Sequence, residues 1–150
     1  MMKWNLLRRL VAPAFLCTLL CCMNVSPVDA QISIVIAKSS TLDSSAATRV
    51  GIKEIFTGTR LKWANGAKIS VIDQADTDVG KKFYTTVIGK SVNDMRKQWA
   101  KLLLSGQASA PVKCPSDKAV KKVIAGNPNA IGYVSTSALD DTVKEVLRIP

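Results

Sequence analysis

The sequence contains no histidine, and three of its four cysteines, Cys17, Cys21 and Cys22, lie close to the N-terminus. Without histidine the chain lacks the usual general base and the commonest metal ligand. Cys114 lies downstream on its own, so it cannot form an internal disulfide with a cysteine of the same region, and no spacing resembles a metal motif. No base is paired with a serine or cysteine nucleophile. The sequence therefore predicts neither an enzyme nor a cofactor.

The chain also lacks an apolar run as long as the roughly 20 residues that span a bilayer. Residues 10–23 are mostly apolar, follow a basic segment in residues 3–9, and precede a polar stretch that ends at Ala30. This arrangement is typical of a secretory signal. We expect cleavage after Ala30 and a periplasmic protein with no stable membrane span. A membrane anchor or a lipid-modified cysteine is the alternative.

The expected mature chain, residues 31–150, has the length of one domain. It keeps 18 basic and 10 acidic residues, a net charge of +8. Such a charge is compatible with anionic lipid, an acidic polymer or an acidic protein as partner, and also with simple solubility. Arg96, Lys97 and Lys101 fall on the polar side of a predicted helix, whereas Trp99 belongs to its apolar side, so we interpret the three as a solvated helix face and expect no nucleic-acid binding.

Apolar and β-branched runs alternate with segments of helical periodicity along this region. The runs predict strands at residues 32–37, 69–72, 130–134 and 143–149. Helices are expected from Ser44 or Ser45 to Phe56, over residues 78–88, between Ser91 and Ser105, and between Ser116 and Gly126, with 107–115 as a loop. The pattern predicts an α/β domain with a mainly parallel sheet flanked by helices.

Several short motifs suggest a relationship to a known family. In order they are Glu-Ile-Phe-Thr-Gly at 54–58, Trp63, Gly66, Phe83, Trp99, and Asn-Pro-Asn-Ala-Ile-Gly-Tyr-Val at 127–134. From about residue 32 to 149 the chain resembles the phosphate-type substrate-binding proteins of ABC transporters, which are type 2 periplasmic binding proteins. The resemblance implies that residues 31–150 form a single lobe of such a protein, whereas its phosphate-binding members clamp the ligand between two lobes.

The resemblance also suggests where an anion would bind. The phosphate loop of the family opens a helix with a Ser-Gly-Thr type sequence, and the matching position here holds Asp76-Thr77-Asp78. Only Thr77 carries over as a hydroxyl donor there, while Ser39 and Ser40 match the hinge-side hydroxyl region. The two carboxylates would repel an anion. Alternatively, Asp76 caps the helix and Asp78 interacts with its dipole.

Two functions follow as expectations. The first is an exported solute-binding-type protein with weak or lost binding of phosphate or another small oxyanion, because one lobe encloses a ligand poorly. The alternative is a ligand-free periplasmic interaction module that binds another envelope protein. For Cys114, a reactive thiol beside Lys113 and an inert, half-buried loop cysteine are the two interpretations.

Overall fold

The computed structural model describes residues 31–41 and 46–150. The predicted signal segment lies outside the described residues, and so do Ser44 and Ser45, where we expect the first helix to begin. Within the described part, strands and helices follow one another along the chain as predicted. No helix in the two described ranges is long and apolar enough to cross a membrane.

A five-stranded sheet forms the centre of the fold. Its strands are β1 (Ile32–Ala37), β2 (Ser70–Asp73), β3 (Val112–Lys113), β4 (Ala130–Ser135) and β5 (Val143–Ile149), arranged in the order β3-β2-β4-β1-β5. Every residue of β1 is buried, as its uninterrupted apolar sequence predicts. The expected last strand is present as β5. The short β3 lies inside the segment predicted as a loop, because two residues are too few for a recognisable alternation.

The sheet is mixed, and the prediction of a mainly parallel sheet is wrong in this detail. β2 runs parallel to both β3 and β4, whereas β1 runs antiparallel to both β4 and β5. A strand that is covered by helices on both faces is apolar whether it runs parallel or antiparallel to its neighbours. The apolar sequence of β1 therefore predicts its central position but not its orientation.

In the described ranges, four α-helices and a short 3-10 helix, Thr136–Ala138, connect the strands. The α-helices are α1 (Arg49–Phe56), α2 (Asp78–Phe83), α3 (Val92–Leu104) and α4 (Asp117–Ala125), and a π-helical turn, Tyr84–Ile88, extends α2. Each α-helix begins at a hydroxyl side chain that accepts a hydrogen bond from the first turn. In α1 this residue is Thr48, so the helix starts later than predicted.

The helices cover the sheet on both faces. Residues of α1, α2 and α3, including Phe56, Phe83 and Trp99, share one apolar core with alternate residues of β1 and β4. Val120 and Ile124 of α4 pack in a second core with the intervening strand residues. α3 and α4 therefore lie on opposite faces of the sheet.

Gly132 in β4 allows α4 to pack closely on the sheet. A Cβ atom at this position would lie 2.8 Å from Ile124 Cδ1 and 3.2 Å from Ile72 Cβ. The close approach that a glycine within a strand indicates is thus present. Trp63 and Trp99, two of the motif residues, are both buried in the first core and so act as packing residues.

Candidate functional site

The loop between β2 and α2 forms a crevice at the carboxyl end of β2. Thr77 closes this loop: its Oγ1 donates to Gln74 O at 2.8 Å and accepts from Gly80 N at 3.1 Å. Gly80 is required by this geometry, since a Cβ atom there would lie 2.2 Å from Gln74 O. The Thr77 hydroxyl is therefore already part of the helix cap. The prediction that Asp76 is the cap is wrong.

A buried polar cluster lies directly beneath the loop. Tyr133 Oη donates to Asp73 Oδ1 at 2.7 Å and accepts from the backbone N–H of Gln74 at 3.2 Å. The Gln74 side-chain amide donates to Tyr133 O at 2.8 Å and to Asp117 Oδ1 at 2.7 Å. These bonds join β2, β4 and the start of α4, so the cluster fixes the base of the crevice.

Burial dominates the electrostatics of this cluster. It raises the pKa of Asp73 above the usual aspartate value, and the hydroxyl groups of Tyr133 and Tyr84 oppose that rise by stabilising the ionised form. The pKa values of both tyrosines are raised by burial and by the neighbouring carboxylate. The tyrosines therefore remain protonated and act as hydrogen-bond donors to Asp73.

The two exposed carboxylates of the loop are paired with basic side chains. Asp76 forms an ion pair with Arg96 of α3. Asp78 lies in the first turn of α2 and contacts Lys81 Nζ at 3.1 Å. Both pairs are solvent-exposed, so each contributes little to stability. They do, however, pair the cationic groups of Arg96 and Lys81 with the protein's own carboxylates.

A recess of about 260 Å³ opens beside the crevice, between α3 and the β2–β3 edge of the sheet. Its polar lining includes Asp73, Tyr84, Arg96 and Lys113, and its walls are mainly apolar, with Trp99 among them. The recess is large enough for a small organic group, because an apolar cavity of about 150 Å³ holds benzene.

The predicted ligand residues are not brought together. Ser39 and Ser40 follow β1, which runs antiparallel to β4. They therefore lie at the end of the sheet where β2 and β4 begin. Thr77 follows the last residue of β2, at the opposite end of the strands. The four residues of β2 alone separate the two positions by roughly 13 Å. Within one copy of the chain, a small anion cannot contact both sets.

Cys114 lies against the same cluster. Its backbone N–H donates to Asp73 O at 2.7 Å, and its side chain is buried. Burial, together with the neighbouring Asp73, raises the pKa of the thiol. A reactive thiol requires a lowered pKa, so the geometry fits the inert interpretation.

Two solved structures share this fold. An ABC-type phosphate transport receptor from Vibrio cholerae superposes with a TM-score of 0.57 and 18% identity over 77% of this chain and 46% of its own. A protein described as a phosphate ABC transporter substrate-binding protein from Clostridium perfringens, solved with bound phosphate, gives a TM-score of 0.58 and 24% identity, with 77% and 44% covered.

The chain has the fold of one lobe of a periplasmic binding protein. It spans slightly less than half the length of both solved proteins, as expected for a single lobe. No protein family model and no curated protein matches the sequence. The resemblance inferred from the short motifs is thus confirmed at the level of the fold.

Gln74, Tyr84 and Tyr133 are the site residues that sequence reasoning missed in this lobe. Tyr133 belongs to a recognisable strand motif, but its hydroxyl group carries no local signal of a partner 60 residues away. An acidic residue ending an apolar strand, as Asp73 does, is the one available hint. A carboxylate next to a buried strand requires a hydrogen-bond donor from elsewhere in the fold.

Proposed function

We propose that the protein is an exported substrate-binding-type protein, related to phosphate ABC transporter substrate-binding proteins, in which anion binding is weak or lost. The observation that carries the proposal is the fold, which corresponds to slightly less than half of two phosphate-transport proteins. We assign it no catalytic activity, since the chain has no histidine and no base paired with a nucleophile.

Thr77 is the residue of this lobe that we propose to contact a small oxyanion such as phosphate. Its hydroxyl group already donates to Gln74 O, so a ligand would have to compete with an internal hydrogen bond. One lobe also leaves most of a small ligand in contact with water, which lowers affinity compared with a two-lobed clamp. Ser39 and Ser40 remain predicted ligand residues, but only for a separate contact at the opposite end of the strands.

The carboxylates of the loop provide the sharpest test. Replacing both Asp76 and Asp78 by Asn removes two like charges from the vicinity of Thr77 and releases Arg96 from its ion pair. Because each exposed like charge costs about 1 kcal/mol at close range, removing two of them is worth about 2 kcal/mol, and we expect phosphate affinity to rise about 30-fold. Titration calorimetry of the exported protein with phosphate and with sulfate measures this change.

A double variant of Asp140 and Asp141 to Asn is the matched control. It changes the net charge equally, but Asp140 pairs with Lys121 of α4, on the other face of the sheet. We expect no gain in phosphate affinity from it. Equal gains in the two double variants would mean that only net charge matters. No phosphate binding at millimolar concentration, even after Asp76 and Asp78 are neutralised, would contradict the proposed anion contact at Thr77.

The second candidate is a ligand-free periplasmic module that binds another envelope protein. The observation in its favour is that the Thr77 hydroxyl and the Arg96 side chain both have partners within the lobe. A loop that satisfies its own polar groups does not require a ligand. Isolation of a stoichiometric complex with one envelope protein, together with the absence of any anion effect, would favour this function over the first.

A further inference from the structure

Exposed apolar side chains are concentrated at one end of α3. Of the four large apolar side chains that are exposed in the described ranges, Leu103, Leu104 and Val112 lie in this region, at 40%, 90% and 42% exposure. Leu103 and Leu104 end α3, and Val112 is in β3. Leu103 and Lys113 line the same recess, which places the end of the helix beside the edge strand.

Lysine side chains lie on the same two elements as these apolar groups. Lys97, Lys101 and Leu104 are spaced four and three residues apart, so they lie along one stripe of α3. Lys113 adds a third exposed cation from β3. Among the residues that the structure describes, none of the three lysines forms an ion pair. We call Lys97, Lys101, Leu103, Leu104, Val112 and Lys113 the α3-end surface.

Carboxylates are scarce near this surface. Asp94, in the first turn of α3, lies one turn before Lys97 without forming an ion pair with it, and the ten residues that separate it from Leu104 correspond to about 15 Å along the helix. Asp73 lies at the base of the adjacent recess and is buried. The positive charge at the end of α3 is therefore left without a compensating partner in this part of the fold.

We propose that the α3-end surface docks on an anionic phospholipid bilayer. Three lysines match the charge of phosphate headgroups, and two adjacent leucines can enter the boundary between headgroups and acyl chains. Exposed apolar side chains ringed by cations are typical of peripheral membrane contacts. The recess behind Leu103 has mainly apolar walls and offers room for the end of an acyl chain. A bilayer accepts such groups without requiring a matching pocket on a partner.

The opposite face of the lobe provides an internal control. Lys118 and Lys122 are exposed on α4 and form no ion pair with any described residue. The large apolar residues of α4 that face the sheet, Val120 and Ile124, are completely buried. The α4 surface therefore offers two unpaired lysines, against three on the α3-end surface, without the exposed leucines, and a purely electrostatic attraction would act on both.

Vesicle flotation with the expected mature chain, residues 31–150, tests the proposal. Vesicles of phosphatidylcholine are compared with vesicles that also contain phosphatidylglycerol, and only the second set is expected to bind. Since each lysine near an anionic surface contributes about fivefold in affinity, Lys97→Ala with Lys101→Ala should weaken binding roughly 30-fold. The pair Lys118→Ala and Lys122→Ala should weaken it by less than about threefold.

The leucines separate docking from charge attraction. Leu104→Ser should lower vesicle binding about tenfold and leave thermal stability unchanged, because the side chain is 90% exposed in the lobe. Equal effects of the two lysine pairs, binding that ignores phosphatidylglycerol, or full binding by Leu104→Ser would each overturn the proposal. So would a lack of vesicle binding accompanied by a tight complex between this surface and a protein.

Discussion

Replacing Tyr133 by Phe tests the claim that the Asp73 cluster holds the base of the crevice together. The substitution keeps the ring, which stacks on Phe83 with centroids 4.0 Å apart, and removes only the hydroxyl group. The lost group donates to Asp73 Oδ1 at 2.7 Å and accepts from Gln74 N at 3.2 Å. Tyr133 is completely buried, so no bulk water replaces either bond.

The expected loss of stability follows from these two bonds. A hydrogen bond to a charged group contributes about 1.5–3 kcal/mol, and the longer bond from Gln74 N adds a smaller amount. We therefore expect the free energy of unfolding of Tyr133→Phe to fall by about 3 kcal/mol near neutral pH. For a domain of this size that corresponds to a decrease in Tm of roughly 10 °C.

The loss should depend on pH. Burial raises the pKa of Asp73, so the folded state favours the protonated carboxyl group and loses that advantage as the pH rises through the raised pKa. The Tyr133 hydroxyl opposes this by stabilising the ionised form. Its removal should therefore cost more at neutral pH than near the usual aspartate pKa, and urea denaturation at several pH values measures the difference.

A double-mutant cycle with Asp73→Asn identifies the partner. In the wild-type protein the Tyr133 hydroxyl faces the carboxylate of Asp73, whereas after Asp73→Asn it faces a neutral amide, and neutral hydrogen bonds contribute about half as much. We expect the cost of Tyr133→Phe to fall to about 1.5 kcal/mol in the Asp73→Asn background. Strict additivity of the two substitutions, or a loss that does not change with pH, would refute the assignment of Asp73 as the charged partner.

Two further substitutions test the packing and the charge pairing. Gly80→Ala should lower the free energy of unfolding by at least about 2 kcal/mol in urea denaturation, because its Cβ would lie 2.2 Å from Gln74 O. The control Gly126→Ala, whose Cβ would have no atom nearer than 3.8 Å, should change it by less than about 0.5 kcal/mol. Equal effects of the two substitutions would contradict the geometry. The hydrogen bond from Lys121 lowers the pKa of Asp140 to about 2, so this carboxylate stabilises the fold above the usual aspartate pKa and loses its effect as the pH falls toward 2. Asp140→Asn should flatten the acid limb of a pH–stability curve in that range, and an unchanged limb would rule out the pairing.

Local sequence patterns predict the elements themselves well. The apolar run at Ile32–Ala37, the four-residue spacing in Asp78–Phe83 and the break at Gly126 correspond to β1, α2 and the end of α4. These signals are local because they arise from helical or strand periodicity and from terminal residues. The start of α1 after Thr48 and the two-residue strand β3 were not predicted. The first depends on the cap hydrogen bond of Thr48 and the second on pairing with β2, and neither leaves a periodic pattern in the sequence.

The functional site is less completely predictable. The segment 73–78 is recognisable as the crevice loop, and Asp76 and Asp78 as its carboxylates, but their partners Arg96 and Lys81 follow from the fold. The local pattern favours Asp76 as the helix cap, whereas Thr77 takes that role. Two neighbouring residues can both cap a helix, and only the backbone conformation of the loop decides between them.

The order of residues along the chain is enough to predict a single α/β lobe, its helices and strands, and the resemblance to phosphate-type binding proteins, because these depend on periodicity and on short motifs. The direction of β1, which separates Ser39 and Ser40 from Thr77 by the length of a strand, emerges only in the folded lobe. The same is true of the hydrogen bond that joins Asp73 to Tyr133 across 60 residues. Strand direction and long-range hydrogen bonds depend on how distant segments pack, and no local pattern records that information.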